Sequence, residues 1–433
     1  MRDALTALVI AALVGFALLH PWLGIMGWTV ISIMNPHRYA WSASIMPVAA
    51  AVAIATLVGM LITRDRIRFV VTPISVVFVA FALWMCVTLP FSLFFDTSYV
   101  MWKQVMKIDF MILVALALLH SRRHVMALVW VLVGSLGFYG FKGGFFTIAT
   151  GGDHLVWGPP ESFIEGNNEL ALALVMTIPL MRFLQMQQHS RWVKYGFTVL
   201  MLLTAVSALG THSRGALLAI VGMTVVMWWR GSHKLVSGVV LGLIGFALIA
   251  FMPGQWEARM VTIANYEQDQ SAMGRINAWW MAWNLANDLP MGGGFDIYRR
   301  VVFARYAPDP TDVHAAHSIY FQVLGEHGFV GLVLFLLLWL LVWRSAGWLR
   351  RHAREPQAAK WAAELGSMIQ ASIAGYLVGG TFLSLAYFDL PYNLMLLVVV
   401  ARRWVQEKGW ERDAADIASP APTSPALSTP SRT

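Results

Sequence analysis

Three side chains in this sequence are of types that can carry group-transfer chemistry. Each stands where a polar stretch meets an apolar one: Arg214 in THSRGALLAIVG, Arg275 in SAMGRINAWWMAWNLAND and His317 in HAAHSIYFQVLG. A neutral imidazole takes a proton from a hydroxyl near neutral pH. A place at a helix N-terminus favours that neutral form, because the positive end of the helix dipole opposes protonation. Two guanidinium groups, each a planar fork of donors, together suit a diphosphate. Taken singly, each arginine also reads as an interfacial side chain and the histidine as a helix cap. Gathered on one face, the three read as a base beside an anion site.

Other polar residues lie close by in sequence. Lys142 follows a glycine-rich apolar run, where a charge beside the membrane either contacts phosphate or sugar or snorkels to the interface. His314, three residues before His317, is an alternative base or an acceptor-site residue. Glu165, Asn167 and Asn168 either contact sugar or cap the helix that starts there. Asp309 and Asp312 in DPTD read as solvated loop acids or, alternatively, as ligands of a divalent cation; the first reading is preferred and no metal is expected, because two arginines can supply the charge. Glu326 lies ~13 Å below His317 along a helix, a depth that points to interhelical hydrogen bonding. Gly292, Gly293 and Gly294 read as a flexible turn; no strand precedes them, so a nucleotide-binding loop is excluded.

These residues must be held by membrane helices. Of 433 residues, 58% are hydrophobic and 12% charged, against roughly 25% charged in a soluble domain; mean hydropathy is +0.62. The net charge of +8 therefore reports topology and not a nucleic-acid partner. The single cysteine, Cys86, lies in an apolar run and excludes an intrachain disulfide or a thiol metal cluster. Twenty tryptophans suit interfacial belts.

Apolar spans are expected near 4–34 (interrupted), 45–62, 73–94, 105–120, 124–149, 168–184, 193–209, 214–229, 235–252, 317–343, 362–386 and 389–402. Basic clusters fall in every second loop, the densest running from Arg344 to Lys360, and the positive-inside rule puts them in the cytoplasm. The first span is read as one crossing broken at His20-Pro21, which keeps the N-terminus inside and gives twelve crossings. The outer face then carries 35–44, 95–104, 150–167, the tight 210–213 turn and the 253–316 segment. That segment far exceeds the about 12–15 residues of an ordinary connector, and INAWWMAWNLAN within it reads as an amphipathic helix with tryptophans at the headgroups. Four regions follow: helices over 1–252, an outer loop with amphipathic helices over 253–316, helices over 317–413, and a Pro/Ser/Thr-rich disordered cytoplasmic tail over 414–433.

The run HSIYFQVLGEHGFVGL resembles the hallmark of the O-antigen ligase and polymerase superfamily, a histidine followed by a helix ending in an acidic residue, glycine and an apolar run. THSRG resembles that superfamily's Ser-Arg-Gly turn, and GRINAWWMAWNLANDLPMGGGF its arginine, tryptophan, proline and glycine-rich periplasmic-loop pattern. The resemblance covers about residues 165–400. MNPHRYAW and KGGFFTIATGGDHLVWGPPESFIEGNNELALALVMTIP further resemble O-glycosylation ligases associated with the exosortase system. The resemblance implies an all-α, twelve-helix, GT-C-like glycosyltransferase of the bacterial inner membrane with its active site facing the periplasm. Such an enzyme takes a glycan from undecaprenyl diphosphate to a sugar hydroxyl of lipid A–core, without cofactor, with inversion. Carried over, His317 is the base, Arg214 and Arg275 bind the diphosphate, and Lys142, His314 and Asn167 are secondary substrate contacts. A protein O-glycosylation ligase or a repeat-unit polymerase would use the same donor, and a transporter or lipid flippase is the alternative from another class. Donor, acceptor and membrane lipids are the expected partners.

Overall fold

The computed structural model of the protein describes residues 2–39, 47–63, 67–69, 71–230, 234–254, 270–355 and 357–412. Among them every regular element is helical. In chain order these are α1 (Arg2–Leu19), α2 (Pro21–Met34), α3 (Val48–Ile62), α4 (Pro73–Thr88), α5 (Phe95–Leu118), α6 (Arg122–Ala149), α7 (Asn167–Met186) and α8 (Arg191–Gly210). They continue with α9 (Arg214–Arg230), α10 (Lys234–Phe251), α11 (Gln270–Asp288), α12 (Arg300–Tyr306), α13 (Ile319–His352), α14 (Lys360–Gly379) and α15 (Asp389–Gln406). Five stretches are long and apolar enough to cross a membrane: Pro73–Phe91, Arg122–Ala149, Asn167–Met186, Arg191–Gly210 and Ile319–His352. Shorter apolar helices occupy Leu8–Leu19, Pro21–Met34, Val48–Ile62 and Arg214–Trp229. The described residues are those of an all-helical, multi-pass membrane protein.

Local chemistry sets where these helices begin. Thr72 and Ser75 each accept the other's backbone N–H, at 3.1 and 2.8 Å, and Pro73 takes the first helical position of α4, where a missing N–H leaves nothing unpaired. Ser121 opens α6 by accepting from His124 N–H at 3.2 Å. Ser213 does the same for α9, accepting from Ala216 N–H at 3.2 Å, so the serine of THSRG is a helix cap.

The centre of the bundle is α7. Residues 170–176 are wholly buried, as expected of a helix that is apolar on every side. Around it α8 packs on α6, and α14 runs between α9 and α13. The α6–α8 crossing is close because α6 presents Gly140 and Gly144: a Cβ on either would strike Thr204 or the Leu203 carbonyl. Small residues at the crossing let backbones approach where no hydrophobic force drives helices together.

Three expectations need correction. The first span is not one broken crossing. Gly24 lies against Ala17 and Gly27 against Leu13, residues that would stand ~10 and ~21 Å apart on a continuous helix; α1 and α2 therefore fold back antiparallel at His20. The stretch 95–104, expected as outer loop, is the first part of α5. The span expected over 362–386 stops at Gly379, after which a 3-10 turn (Gly380–Phe382) and an extended segment lead to α15. The disordered tail expected at 414–433 lies outside the described residues, as does the first part of the 253–316 segment.

Candidate functional site

The polar segment is strapped onto the start of α13 by side chains of α11. Asn277 donates through Nδ2 to the carbonyls of Asp309 and Asp312 (2.8 and 2.9 Å) and accepts from Asp309 N–H at 2.9 Å. Two residues on, Trp279 donates from Nε1 to Ala316 O at 2.7 Å and stacks flat on Phe321, 5.1 Å between centroids. The strap delivers His317 in the left-handed region, φ 42°, a conformation uncommon for any residue but glycine. Gln322 N–H donates to Ser318 O at 2.8 Å to begin α13 immediately afterwards. His317 is thus a junction residue pinned on both sides, in the manner of strained backbone at functional sites.

Arg275, one turn before Trp279 on α11, lies within electrostatic reach of His317 and of Glu169 in the first turn of α7. The Glu169 carboxylate folds back over Gly166, where a Cβ would collide with it. Arg214 is the first residue of α9. Its neighbour Gly215 abuts Phe382 and the Gly379 carbonyl at the end of α14, and Phe382 in turn faces Trp279 at 6.5 Å. Ile319, two residues beyond His317, packs on Gly380 in the same turn. The starts of α7, α9 and α13 and the first turns of α11 therefore meet around residues 379–382, at one end of the bundle.

A break in α13 fixes the depth of that meeting point. Gly328 has φ 66° and ψ −169° inside the helix, which leaves carbonyls of the preceding turn without helical donors. The glycine turn fills that gap: Gly293 N–H donates to Gly325 O and Gly294 N–H to Glu326 O, each at 2.9 Å. Gly292 and Gly294 have φ 77° and 80°, conformations in which glycine alone is unstrained. Just before the break, Tyr387 donates to Glu326 Oε2 at 2.6 Å; the tyrosine lies in the turn that joins α14 to α15, so the partner is a connecting turn and not a neighbouring helix. His327 faces Thr88 Oγ1 through Nδ1 at 2.8 Å.

Electrostatically the site favours a neutral base. Burial, then the charge of Arg275, then His314, lower the His317 imidazole from its ordinary value of 6.5 to about 4. Its Nδ1 is buried and finds no hydrogen-bond partner among the described residues.

Residues 199–336 match the family described as O-antigen ligase, a span that takes in Arg214, Arg275, His317 and the break at Gly328. That match supports a place for residues 199–336 in the O-antigen ligase and polymerase superfamily. Residues 1–189 match a family described as of unknown function (DUF5935). No curated protein sequence matches the chain. The match supports a glycosyltransferase-like ligase or polymerase in coarse class.

Within this ligase-superfamily site the other candidates fare unequally. His314 stands at the site, over Gly274, with Nε2 2.7 Å from Asp312 Oδ1, so Asp312 is a histidine partner instead of a free loop acid. Asn167 is committed to structure: its Nδ2 donates to Thr211 O at 2.8 Å and ties α7 to the THSRG turn. Lys142 is not gathered with the rest; it is exposed on the side of α6 away from the glycine face, among Phe138, Phe141 and Phe145. Sequence reasoning passes over Glu169, Asn277, Trp279 and His212. His212, also left-handed at φ 55°, bonds Gly152 O through Nε2 at 2.8 Å. The available signal for Glu169 was its place two residues after Asn167 in a first helical turn. Within the region matching the family of unknown function, Asn35 donates to Pro160 O and Glu161 O, and Arg38 pairs with Glu161 at 2.8 Å. The 150–166 loop is thereby a built wall beside the site.

Proposed function

We propose that the protein is a glycosyl ligase of the inner membrane that transfers a glycan from undecaprenyl diphosphate to a sugar hydroxyl of lipid A–core at the periplasmic face. The observation that carries this reading is His317, a neutral imidazole pinned at a helix start beside Arg275, with Arg214 opening the neighbouring helix. In the proposed step the acceptor oxygen attacks the anomeric carbon as its proton passes to His317. The bond from that carbon to the diphosphate oxygen breaks, and the diphosphate leaves onto Arg214 and Arg275. Direct displacement inverts the anomeric centre. A diphosphate leaving group needs no general acid, and two guanidiniums supply charge without a metal. Glu169 orients Arg275, and His314 with Asp312 lies on the acceptor side of His317. A GT-C-like plan belongs to the same proposal; the α1–α2 hairpin changes the expected count of crossings, since it passes the membrane twice or not at all.

The deciding experiment is transfer by purified protein from undecaprenyl-diphosphate glycan, in EDTA, with lipid A–core and an acceptor protein offered separately. Product on lipid A–core supports the proposal, product only on protein makes it an O-glycosylation ligase, and longer lipid-linked chains make it a polymerase. Arg214→Lys keeps the charge and loses the paired fork, so donor affinity is expected to fall about tenfold, as a loss of roughly 1.4 kcal/mol; unchanged donor affinity would count against a bidentate contact.

The pH profile is a separate check. His317 is the base in its neutral form, so the acid limb of the rate should lie near pH 4 and not near 6.5. Arg275→Gln removes one of the lowering charges and should move that limb upward. For stability the sign is the usual one for a depressed histidine. The unfolded chain takes up the proton first as pH falls, so this contribution is complete above 6.5 and is lost from there down through about 4. His317→Gln should remove that part of the stability change.

A further inference from the structure

The other end of α13, ~45 Å of helix from His317, carries a cavity of about 670 Å³ between the ends of α13 and α15, the middle of α14 at Gln370 and the start of α4. Five arginines line it, Arg344, Arg350, Arg351, Arg402 and Arg403, and no carboxylate does among the described residues. Glu407 stands nearby but is already shared by Arg68, Arg403 and Arg412, at 3.1, 2.9 and 3.0 Å. Arg402 is held by neutral groups, donating to Ser345 Oγ at 2.7 Å and lying over the Trp348 ring.

Two donors there are unused: Arg350 Nε and Arg403 Nη1 are buried with no hydrogen-bond partner among the described residues. The acceptor Oε1 of Gln370, a residue only 2% exposed, is likewise buried without a partner. Gln370 is fixed by its Nε2, which donates to Trp343 O at 2.9 Å. Gly347 keeps the wall open there, since a Cβ would press on that amide at 3.0 Å. Grouped, partly desolvated guanidiniums repel one another and need a counter-anion, and planar forks match phosphate oxygens best. The inner wall is apolar, formed by Ile74, Leu341 and Val399. The volume is that of a ligand site.

We propose that this cavity is a second binding site, for a phosphate-bearing ligand, separate from the transfer centre. The apolar inner wall suits the glycerol and first acyl carbons of an anionic lipid. The positive-inside pattern puts this end in the leaflet where basic pockets between helices take such headgroups. A soluble phosphate ester has the same recognition chemistry, and the test separates the two sources.

The full-length protein would be analysed by native mass spectrometry with added phosphatidylglycerol or phosphatidylcholine, and by thermal shift against inorganic phosphate. Phosphatidylglycerol is expected to be retained at least about tenfold over phosphatidylcholine. Arg350→Gln/Arg351→Gln should lose that preference; His317→Ala, and Lys360→Gln outside the lining, should keep it. The exposed Arg344→Gln serves as a milder variant should the double one fail to fold, with a smaller loss expected. Saturable stabilisation by phosphate, absent in the variants and without lipid preference, would keep the anion site and assign a soluble ligand. Equal retention of both lipids with no phosphate response, or variants behaving as the parent, would overturn the proposal.

Discussion

Replacement of His317 by alanine is expected to slow glycan transfer by about 10²–10⁴-fold, the range a positioned general base contributes, with donor binding largely kept. The split follows from the geometry. The diphosphate is assigned to guanidiniums on α9 and α11, whereas His317 belongs to the junction between the polar segment and α13. Loss of the imidazole should therefore appear in the turnover rate more than in the half-saturating donor concentration. A compact fold must be demonstrated alongside, because His317 also holds a left-handed turn. His317→Asn provides the comparison: asparagine tolerates that conformation and offers no base, so it should be as inactive as alanine and better folded. Full transfer by either variant would remove His317 from the chemistry. Recovery of the His317→Ala rate by added imidazole would support its role as the base.

The second large effect is structural and lies at the break in α13. Gly328→Val should destabilise the protein by on the order of 3 kcal/mol or more and abolish activity with no substituent near His317. The backbone there, φ 66° and ψ −169°, is in a region essentially reserved for glycine. A Cβ would also collide with the Pro290 carbonyl oxygen. Gly134→Ala on α6 is the control: nothing lies within 4 Å of a Cβ there, and alanine is the better helix former by about 1 kcal/mol. Thermal unfolding and limited proteolysis of the two variants in detergent would give opposite shifts. A Gly328→Val protein with the parent's melting temperature would mean that the break is not required.

The site was legible in the sequence to the extent that its chemistry is local. Arg214 follows a serine that caps its helix, and His317 stands where polar residues give way to a long apolar run, so both could be placed at helix starts without any tertiary information. The depth of Glu326 follows from helical rise alone, but its partner Tyr387 is in a turn and not on a helix. What failed depends on partners distant in sequence. Proline after His20 fits a kinked span or a fresh helix equally well, and only the fit of Gly24 on Ala17 decides. The helical start of α5 at FDTSYVMWKQ is hidden because its lysines, Lys103 and Lys107, are exposed on one face and the apolar count falls. The break at Gly328 follows the polar pair Glu326-His327 in an otherwise apolar run that reads as one continuous span. What sets it is a glycine turn 34 residues earlier, which reads in isolation as a flexible connector.

That turn also bears on how the protein is made. The polar segment finishes its hydrogen bonds on residues synthesised after it: Trp279 on Ala316, Gly293 on Gly325, Gly294 on Glu326. It cannot mature as a free-standing outer domain. At translation speeds of about 5–20 residues per second, it is synthesised seconds before the helix that completes it. During that interval its tryptophan-rich helix has only lipid or a chaperone to cover it. Synthesis of α13 is then the step that assembles the junction at His317, late, when most of the apolar helices have already been made.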